Sequence, residues 1–208
     1  IYNWVQHPSI APPFLANETL VDSNAQQGFL QDNPVPTDQQ TASKWPAVRI
    51  NRQQVNLRRF VDDGDDGHDV SSFVFADTTT LGWVTASNPK AGLLIGYVWK
   101  TSDYPWLNIW RYRHEGKVAA RGLEFGTTGY HQPFPALVRE QNILGRALFE
   151  YIDTGETITK SYVVFVTKLP ANFLGVARLE YQGKEIRILE RGNDGPRHLS
   201  VAIKHWLN

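Results

Sequence analysis

Residues 106–125 read WLNIWRYRHEGKVAARGLEF, and this stretch decides the fold class. Successive side chains of an extended strand point to opposite faces. Its first part therefore separates into two sets, with Trp106, Asn108, Trp110 and Tyr112 on one face and Leu107 and Ile109 on the other. The polar HEGK segment predicts a short hairpin turn, and VAARGLEF continues as a second strand. The stretch predicts an antiparallel β-hairpin.

Short strand patterns of the same kind recur on both sides of this hairpin. They cover residues 71–76, 81–86, 91–100, 106–113, 118–125, 144–152, 157–169, 175–179, 185–189 and 198–206. No segment shows a helical period, and residues 26–44, rich in Gln, Asp, Thr and Pro, predict a long surface loop. Many strands with turn signals between them are typical of an antiparallel β-sandwich or barrel. We expect an all-β sandwich in which residues 1–208 form one domain.

The composition excludes several classes of function. The 208 residues carry 21 basic and 21 acidic side chains, a balance that argues against partners attracted by bulk charge, such as nucleic acid or an anionic membrane. The chain has no Cys, which excludes disulfides and thiolate metal sites. No stretch has the pattern of a signal peptide or a membrane span. A nucleophile-elbow motif and a phosphate-binding loop are also absent from the sequence.

His7 is the first candidate for chemistry. It follows the short apolar segment Trp4-Val5-Gln6 and precedes Pro8, so it stands at a strand end, where its side chain can point into a cleft. An imidazole titrates near neutral pH and can give a proton to an oxygen atom. The alternative is a structural histidine bonded to a neighbouring carbonyl.

The acidic segment at residues 62–69 reads DDGDDGHD and suggests a Ca²⁺ loop. An EF-hand loop ends on a Glu twelve places along, however, and Phe73 stands there instead. We expect no metal. Asp69 differs from the other acidic residues because it opens the strand that begins at Val70, where a carboxylate can be held rigidly at the edge of a sheet.

Glu124 ends a predicted strand and precedes a Gly-rich loop at residues 126–129. Backbone without side chains lets a ligand approach closely, so a carboxylate at this point is a candidate general base. The alternative is an ordinary surface carboxylate at a strand end. His131 lies just beyond, where it either lines the same cleft or caps the loop.

Together these segments resemble the aldose 1-epimerase, or galactose mutarotase-like, family, in the same order along the chain. The resemblance rests on short motifs: Gln6-His7-Pro8, His68-Asp69-Val70 and the following Ser-Ser-Phe-Val-Phe, Tyr104-Pro105-Trp106-Leu107-Asn108-Ile109-Trp110, Gly122-Leu123-Glu124-Phe125-Gly126-Thr127, and Gly155-Glu156-Thr157 leading to Tyr162 and Phe165. Each motif is short, and the resemblance rests on the order and spacing of the motifs along the chain.

The resemblance implies a mutarotase-like sandwich that opens and closes the ring of a monosaccharide or modified sugar. It implies that Glu124 is the catalytic base and His7 the catalytic acid, and that Asp69 binds sugar hydroxyls. We expect Trp110 and His131 to make further contacts with the sugar. Such a reaction requires neither a metal nor a nucleotide, so no cofactor is expected.

The sequence departs from the family pattern in two places. After Glu124 it reads Phe-Gly-Thr-Thr-Gly rather than the Pro-Gln of typical galactose mutarotases, so the segment next to the expected base differs from that of the family. Family members also carry strands before the His-Pro motif, and we expect such strands to come from the rest of the same protein. Two alternatives stay open: a non-catalytic carbohydrate-binding module, and an accessory sandwich domain of a larger carbohydrate-active enzyme.

Overall fold

The computed structural model describes residues 1–50, 53–59, 66–192 and 197–204. Within this part, antiparallel strands dominate and one short helix, α1 (Phe134–Glu140), interrupts them. The strands are β1 Val5–Gln6, β2 Ser9–Ile10, β3 Leu20–Ser23, β4 Gln27–Leu30, β5 Ser43–Lys44, β6 Ala47–Ile50, β7 Gln53–Asn56, β8 Gly67–Val74, β9 Leu81–Asn88, β10 Leu93–Lys100, β11 Trp106–His114, β12 Lys117–Gly126, β13 Asn142–Ile143, β14 Arg146–Ala147, β15 Tyr162–Lys168, β16 Val176–Gln182, β17 Glu185–Glu190 and β18 His198–Ala202.

Two of the sheets face each other and form a β-sandwich. The first has the strand order β1-β12-β11-β8-β4-β5, with β2 also paired to β12, and the second has the order β15-β10-β9-β3. A buried apolar cluster fills the space between them, with Phe73 and Leu123 from the first sheet and Val84 from the second. The Trp99 indole stacks on the Phe125 ring with 4.2 Å between centroids. The expected all-β antiparallel sandwich is confirmed.

A third sheet, β16-β17-β18, packs behind the second sheet of the sandwich. Its Ile186 and other apolar side chains form a second buried cluster with Phe165 of β15. The carboxylate of Asp22 joins the layers, because it accepts hydrogen bonds from Arg58 Nε at 2.6 Å and from the backbone N–H of Val176 at 2.8 Å.

Within the described residues, the outer face of the first sheet is covered at one end. There α1 and the β13–β14 hairpin bury Trp106, whose indole N–H donates to the carbonyl of Ala147 at 2.8 Å. Farther along β11, Trp110 is half-buried and Tyr112 is 36% exposed, so this end of the face is open. In the described part of the chain, no helix is long and apolar enough to cross a membrane.

Three of the secondary-structure predictions are wrong. Residues 144–152 hold only the two-residue strand Arg146–Ala147, and the predicted loop at residues 26–44 contains Gln27–Leu30, which pairs with β8. The helix Phe134–Glu140 is too short to show a period in sequence, although the proline in its first turn is a helix-start signal.

The acidic segment is only partly described. Residues 60–65, which carry most of its carboxylates, lie outside the described residues. Its last three residues belong to β8, which begins at Gly67 rather than after Asp69.

Candidate active site

His7 and Glu124 meet on the outer face of the first sheet. Strand β1 runs antiparallel to β12 with Gln6 opposite Phe125, and this register brings His7 beside Glu124. His7 Nε2 lies 3.0 Å from Glu124 Oε1. The two side chains differ sharply in their exposure to solvent, at 54% for His7 and 1% for Glu124. The site is a half-exposed imidazole over a buried carboxylate.

The imidazole of His7 has a contact on each side. Its Nδ1 lies 3.2 Å from the hydroxyl of Ser9, two residues along the chain. Its ring meets the Trp110 indole edge-on, with 5.5 Å between centroids and 62° between planes. Because Nδ1 is engaged by the hydroxyl, the other nitrogen is directed at the carboxylate.

The burial of Glu124 changes its acidity. Removal from water raises the pKa of this carboxyl from an ordinary 4.5 to about 7, and the charge of His7 opposes part of that rise. The second oxygen, Oε2, is buried and makes no hydrogen bond to any described residue. A carboxyl group with a pKa near neutrality can take up and release a proton under the same conditions, as a general acid–base catalyst must.

Gly122 makes room for this carboxylate. A Cβ atom at position 122 would lie 2.8 Å from Glu124 Oε1 and 3.0 Å from the Cβ of Trp110. The first distance is shorter than real Cβ contacts and the second is tighter than most of them, so a larger residue would displace the carboxylate. The Gly-x-Glu spacing is therefore part of the geometry of the site.

Asn108 lies opposite Glu124 in the register of β11 and β12, so both side chains are on the same face of the sheet. Its amide nitrogen donates to the carbonyl of Thr128 at 3.1 Å and lies 3.5 Å from His131 Nε2. Its amide oxygen is buried and makes no hydrogen bond within the described structure. Two buried acceptor oxygens, on Asn108 and Glu124, therefore have no hydrogen-bond partner among the described residues.

His131 borders the same site. Crowding of its ring by the protein lowers its pKa, and the charge of His7 lowers it further. A neutral imidazole can accept at Nε2, which fits the proximity of the Asn108 amide group. The backbone N–H of His131 donates to Gln31 Oε1 at 3.0 Å, and Gln31 Nε2 donates to the Ser72 hydroxyl at 2.8 Å.

Asp69 does not belong to this group. It lies opposite Arg111 in the register of β8 and β11. Arg111 is three residues after Asn108 on β11, so Arg111 and Asp69 are on the opposite face of the sheet from Asn108. Its carboxylate accepts from Arg111 Nε at 3.0 Å and from Arg113 Nη1 at 2.8 Å. Burial alone would raise the pKa of Asp69, but the hydrogen bonds and charges of these arginines outweigh it and hold the pKa below its ordinary value. The expectation that Asp69 binds sugar hydroxyls beside His7 and Glu124 is wrong, because strand alternation directs its side chain into the sandwich.

The structure thus brings together His7, Glu124, Trp110 and His131, four of the five residues singled out in the sequence. The sequence analysis placed Asn108 on the same face as Trp110 but gave it no role. The alternation of residues 106–113 was the signal that could have added Asn108 to the candidate site. Gln31 was missed because that residue falls in the segment predicted as a loop. Among the described residues, no group of three or more His, Asp or Glu side chains is arranged to hold a metal ion.

Comparisons with known proteins add little to this picture. No family model and no curated protein sequence matches the chain. A crystal structure of a protein from Klebsiella pneumoniae subsp. pneumoniae MGH 78578, assigned provisionally as an aldose 1-epimerase, matches with a TM-score of 0.48 and 13% identity over 81% of this chain. The chain spans 38% of the length of that protein. At this level of similarity the match carries no argument about activity.

Proposed function

We propose that this protein is an aldose 1-epimerase-like isomerase that interconverts the anomers of a free sugar, with Glu124 and His7 as the acid–base pair. The observation that carries the proposal is the 3.0 Å contact between His7 Nε2 and the buried Glu124 Oε1. His7 lies beside the Trp110 ring, which can pack against the apolar face of a sugar. Asn108 and His131 supply polar atoms for the sugar hydroxyls.

The reaction needs two proton transfers and no covalent intermediate with the protein. Glu124 takes the proton of the anomeric hydroxyl while His7 gives a proton to the ring oxygen, and the bond between C1 and the ring oxygen breaks to leave an aldehyde. Rotation about the C1–C2 bond presents the other face of the carbonyl. Ring closure then returns both protons to the groups that supplied them, so the pair is unchanged after a turnover.

Glu124 is suited to this exchange because a carboxyl group whose pKa is raised to about 7 can accept and release a proton near neutral pH. A sugar must enter where the two groups touch, and the half-exposed ring of His7 is the member of the pair that can move aside.

Anomer-exchange NMR on a panel of reducing sugars tests the proposal. We expect exchange between the α and β anomers to be accelerated by the protein and to fall by at least about 100-fold in Glu124→Gln, because one of the two acid–base groups is removed. Glu140→Gln, which removes an exposed carboxylate on α1, is the matched control and should retain the rate.

An unchanged rate in Glu124→Gln, with the circular dichroism spectrum preserved, would remove Glu124 from the reaction. A protein that accelerates exchange of no sugar in the panel would contradict the enzyme proposal as a whole.

A second candidate function is a carbohydrate-binding module without catalysis. The observation that favours it is the same contact, because His7 already occupies Oε1 and Oε2 is buried, so the carboxylate is not open to a ligand. This alternative predicts measurable affinity for sugars by titration calorimetry with no acceleration of anomer exchange.

A further inference from the structure

A row of parallel rings leads away from the His7–Glu124 pair along β11. The rings of Trp110 and Tyr112 have 5.8 Å between centroids and 9° between planes, and those of Tyr112 and His114 have 6.3 Å and 7°. Tyr112 is 36% exposed and His114 is exposed. Since residues in a strand rise about 3.3 Å each, the row from residue 110 to residue 114 is about 13 Å long. It is longer than a single pyranose ring.

The neighbouring strands leave the row open on one side. On β12, Gly122 and Ala120 lie opposite Trp110 and Tyr112, and neither has a side chain large enough to cover the rings. On β8, His68 lies opposite Tyr112 and is exposed. The result is a shallow groove with aromatic rings along its base, small residues on one side and an imidazole on the other.

The groove is continuous with the proposed catalytic pair. Trp110 belongs to both, because its ring contacts His7 at one end and lies parallel to Tyr112 at the other. The far end carries polar groups at His114 and at Asp66, whose carboxylate accepts from the backbone N–H groups of Glu115 and Gly116 at 3.0 and 2.8 Å. Rings for the apolar faces of sugars and polar groups for their hydroxyls are the two kinds of contact that a carbohydrate requires.

We propose that this groove binds the second and later rings of an oligosaccharide whose reducing-end ring lies at His7 and Glu124. The substrate class is then a reducing oligosaccharide rather than a lone monosaccharide. Its second ring packs against the exposed edge of the Tyr112 ring, whose faces are turned toward Trp110 and His114, and the hydroxyls farther along meet His114 and His68. The proposal rests on the proposed function for the identity of the reacting ring, whereas the groove itself is argued from the aromatic row.

The test compares chain lengths. Anomer exchange and calorimetric affinity are measured for glucose and galactose, and for reducing disaccharides and trisaccharides of glucose and galactose in α- and β-linked series. We expect at least one series in which kcat/KM and affinity rise with the second ring. In Tyr112→Ala the ratio of oligosaccharide to monosaccharide kcat/KM should fall about tenfold, as the loss of one aromatic packing contact predicts.

Tyr151→Ala is the matched control, because Tyr151 is 71% exposed and lies outside β11. It should leave the ratio unchanged. Both tyrosines are exposed enough for truncation to leave the fold intact, which circular dichroism checks.

The outcomes separate the two proposals. Exchange of monosaccharides with no gain for any longer sugar, and no change of the ratio in Tyr112→Ala, would overturn the groove and leave the epimerase proposal standing. Affinity that rises with chain length and depends on Tyr112, without exchange of any sugar, would support the groove and overturn the epimerase. Neither affinity nor exchange for any sugar in the panel would overturn both.

Discussion

Two buried carboxylates lie on opposite faces of the first sheet, and their surroundings differ. Asp69 points into the sandwich, where two arginines bind both of its oxygens and hold its pKa below the ordinary value. Glu124 points outward, where its partner is His7, one oxygen lacks any described partner, and burial raises its pKa to about 7. Satisfied buried charge is typical of structural sites, whereas unsatisfied buried charge beside an open face is typical of functional ones.

The largest expected difference between the two carboxylates is in stability. Asp69→Asn removes the charge that Arg111 and Arg113 share inside the sandwich, and we expect a loss of about 3 kcal/mol in the free energy of unfolding. Glu124→Gln removes a charge whose burial is unfavourable, so it should cost little or increase stability at pH 8. Urea unfolding of both variants measures the difference. Equal losses in the two variants would contradict the contrast.

The pH dependence of stability should also differ in sign. Because the pKa of Glu124 is raised in the folded state, its contribution is fully present below about pH 4.5 and is lost as the pH rises through about 7, by about 2 to 3 kcal/mol. The lowered pKa of Asp69 acts oppositely, since its contribution is present above pH 3.8 and is lost as the pH falls through the folded-state value.

Unfolding free energies between pH 3 and 8 for the native chain, Glu124→Gln and Asp69→Asn separate these contributions. The decline between pH 4.5 and 7 should disappear in Glu124→Gln and persist in Asp69→Asn. Its persistence in Glu124→Gln would assign it to another group.

A substitution at Gly122 tests how strongly anomer exchange depends on the position of the Glu124 carboxylate, while Glu124 itself stays in place. In Gly122→Ala the added methyl group would lie 2.8 Å from Glu124 Oε1, so the carboxylate must shift from its present position. We expect anomer exchange to fall about tenfold, because displacing a reacting group by a fraction of an ångström weakens catalysis while the residue remains. Gly192→Ala is the matched control, since among the described residues a Cβ there meets only Leu174, at 3.7 Å.

The smallest expected effect is a change in the pKa of Glu124 when its partner His7 is replaced. Because the charge of His7 lowers the pKa of Glu124, His7→Asn should raise that pKa further. Carbon NMR of the labelled carboxyl group, titrated from pH 5 to 9, follows the change directly. His198→Asn, an exposed histidine on β18, should leave the titration where it is. A downward shift in His7→Asn would mean that the two groups do not interact as described.

The sequence predicted the sandwich because the first strand of its central hairpin shows the two-residue alternation of an extended strand. Trp106, Asn108, Trp110 and Tyr112 alternate with Leu107 and Ile109 along the predicted strand, and the observed strand Trp106–His114 differs from the prediction by one residue at its end. The loop prediction at residues 26–44 failed because the partners of Gln27–Leu30 lie about 40 residues away on β8, and composition alone does not reveal distant pairing. The helix was missed because two turns carry too little periodicity.

His7, Glu124, Trp110 and His131 could be singled out from the sequence because each has a chemically useful side chain beside a turn or a strand end. Whether they meet depends on register, since a shift of one residue directs a side chain to the opposite face. Asp69 shows this: its chemistry is as suitable as that of Glu124, yet the pairing of β8 with β11 directs it into the sandwich. The sequence alone determined the strands and the candidate groups, whereas the antiparallel pairing of distant strands decided which of those groups share a face and which of them water can reach.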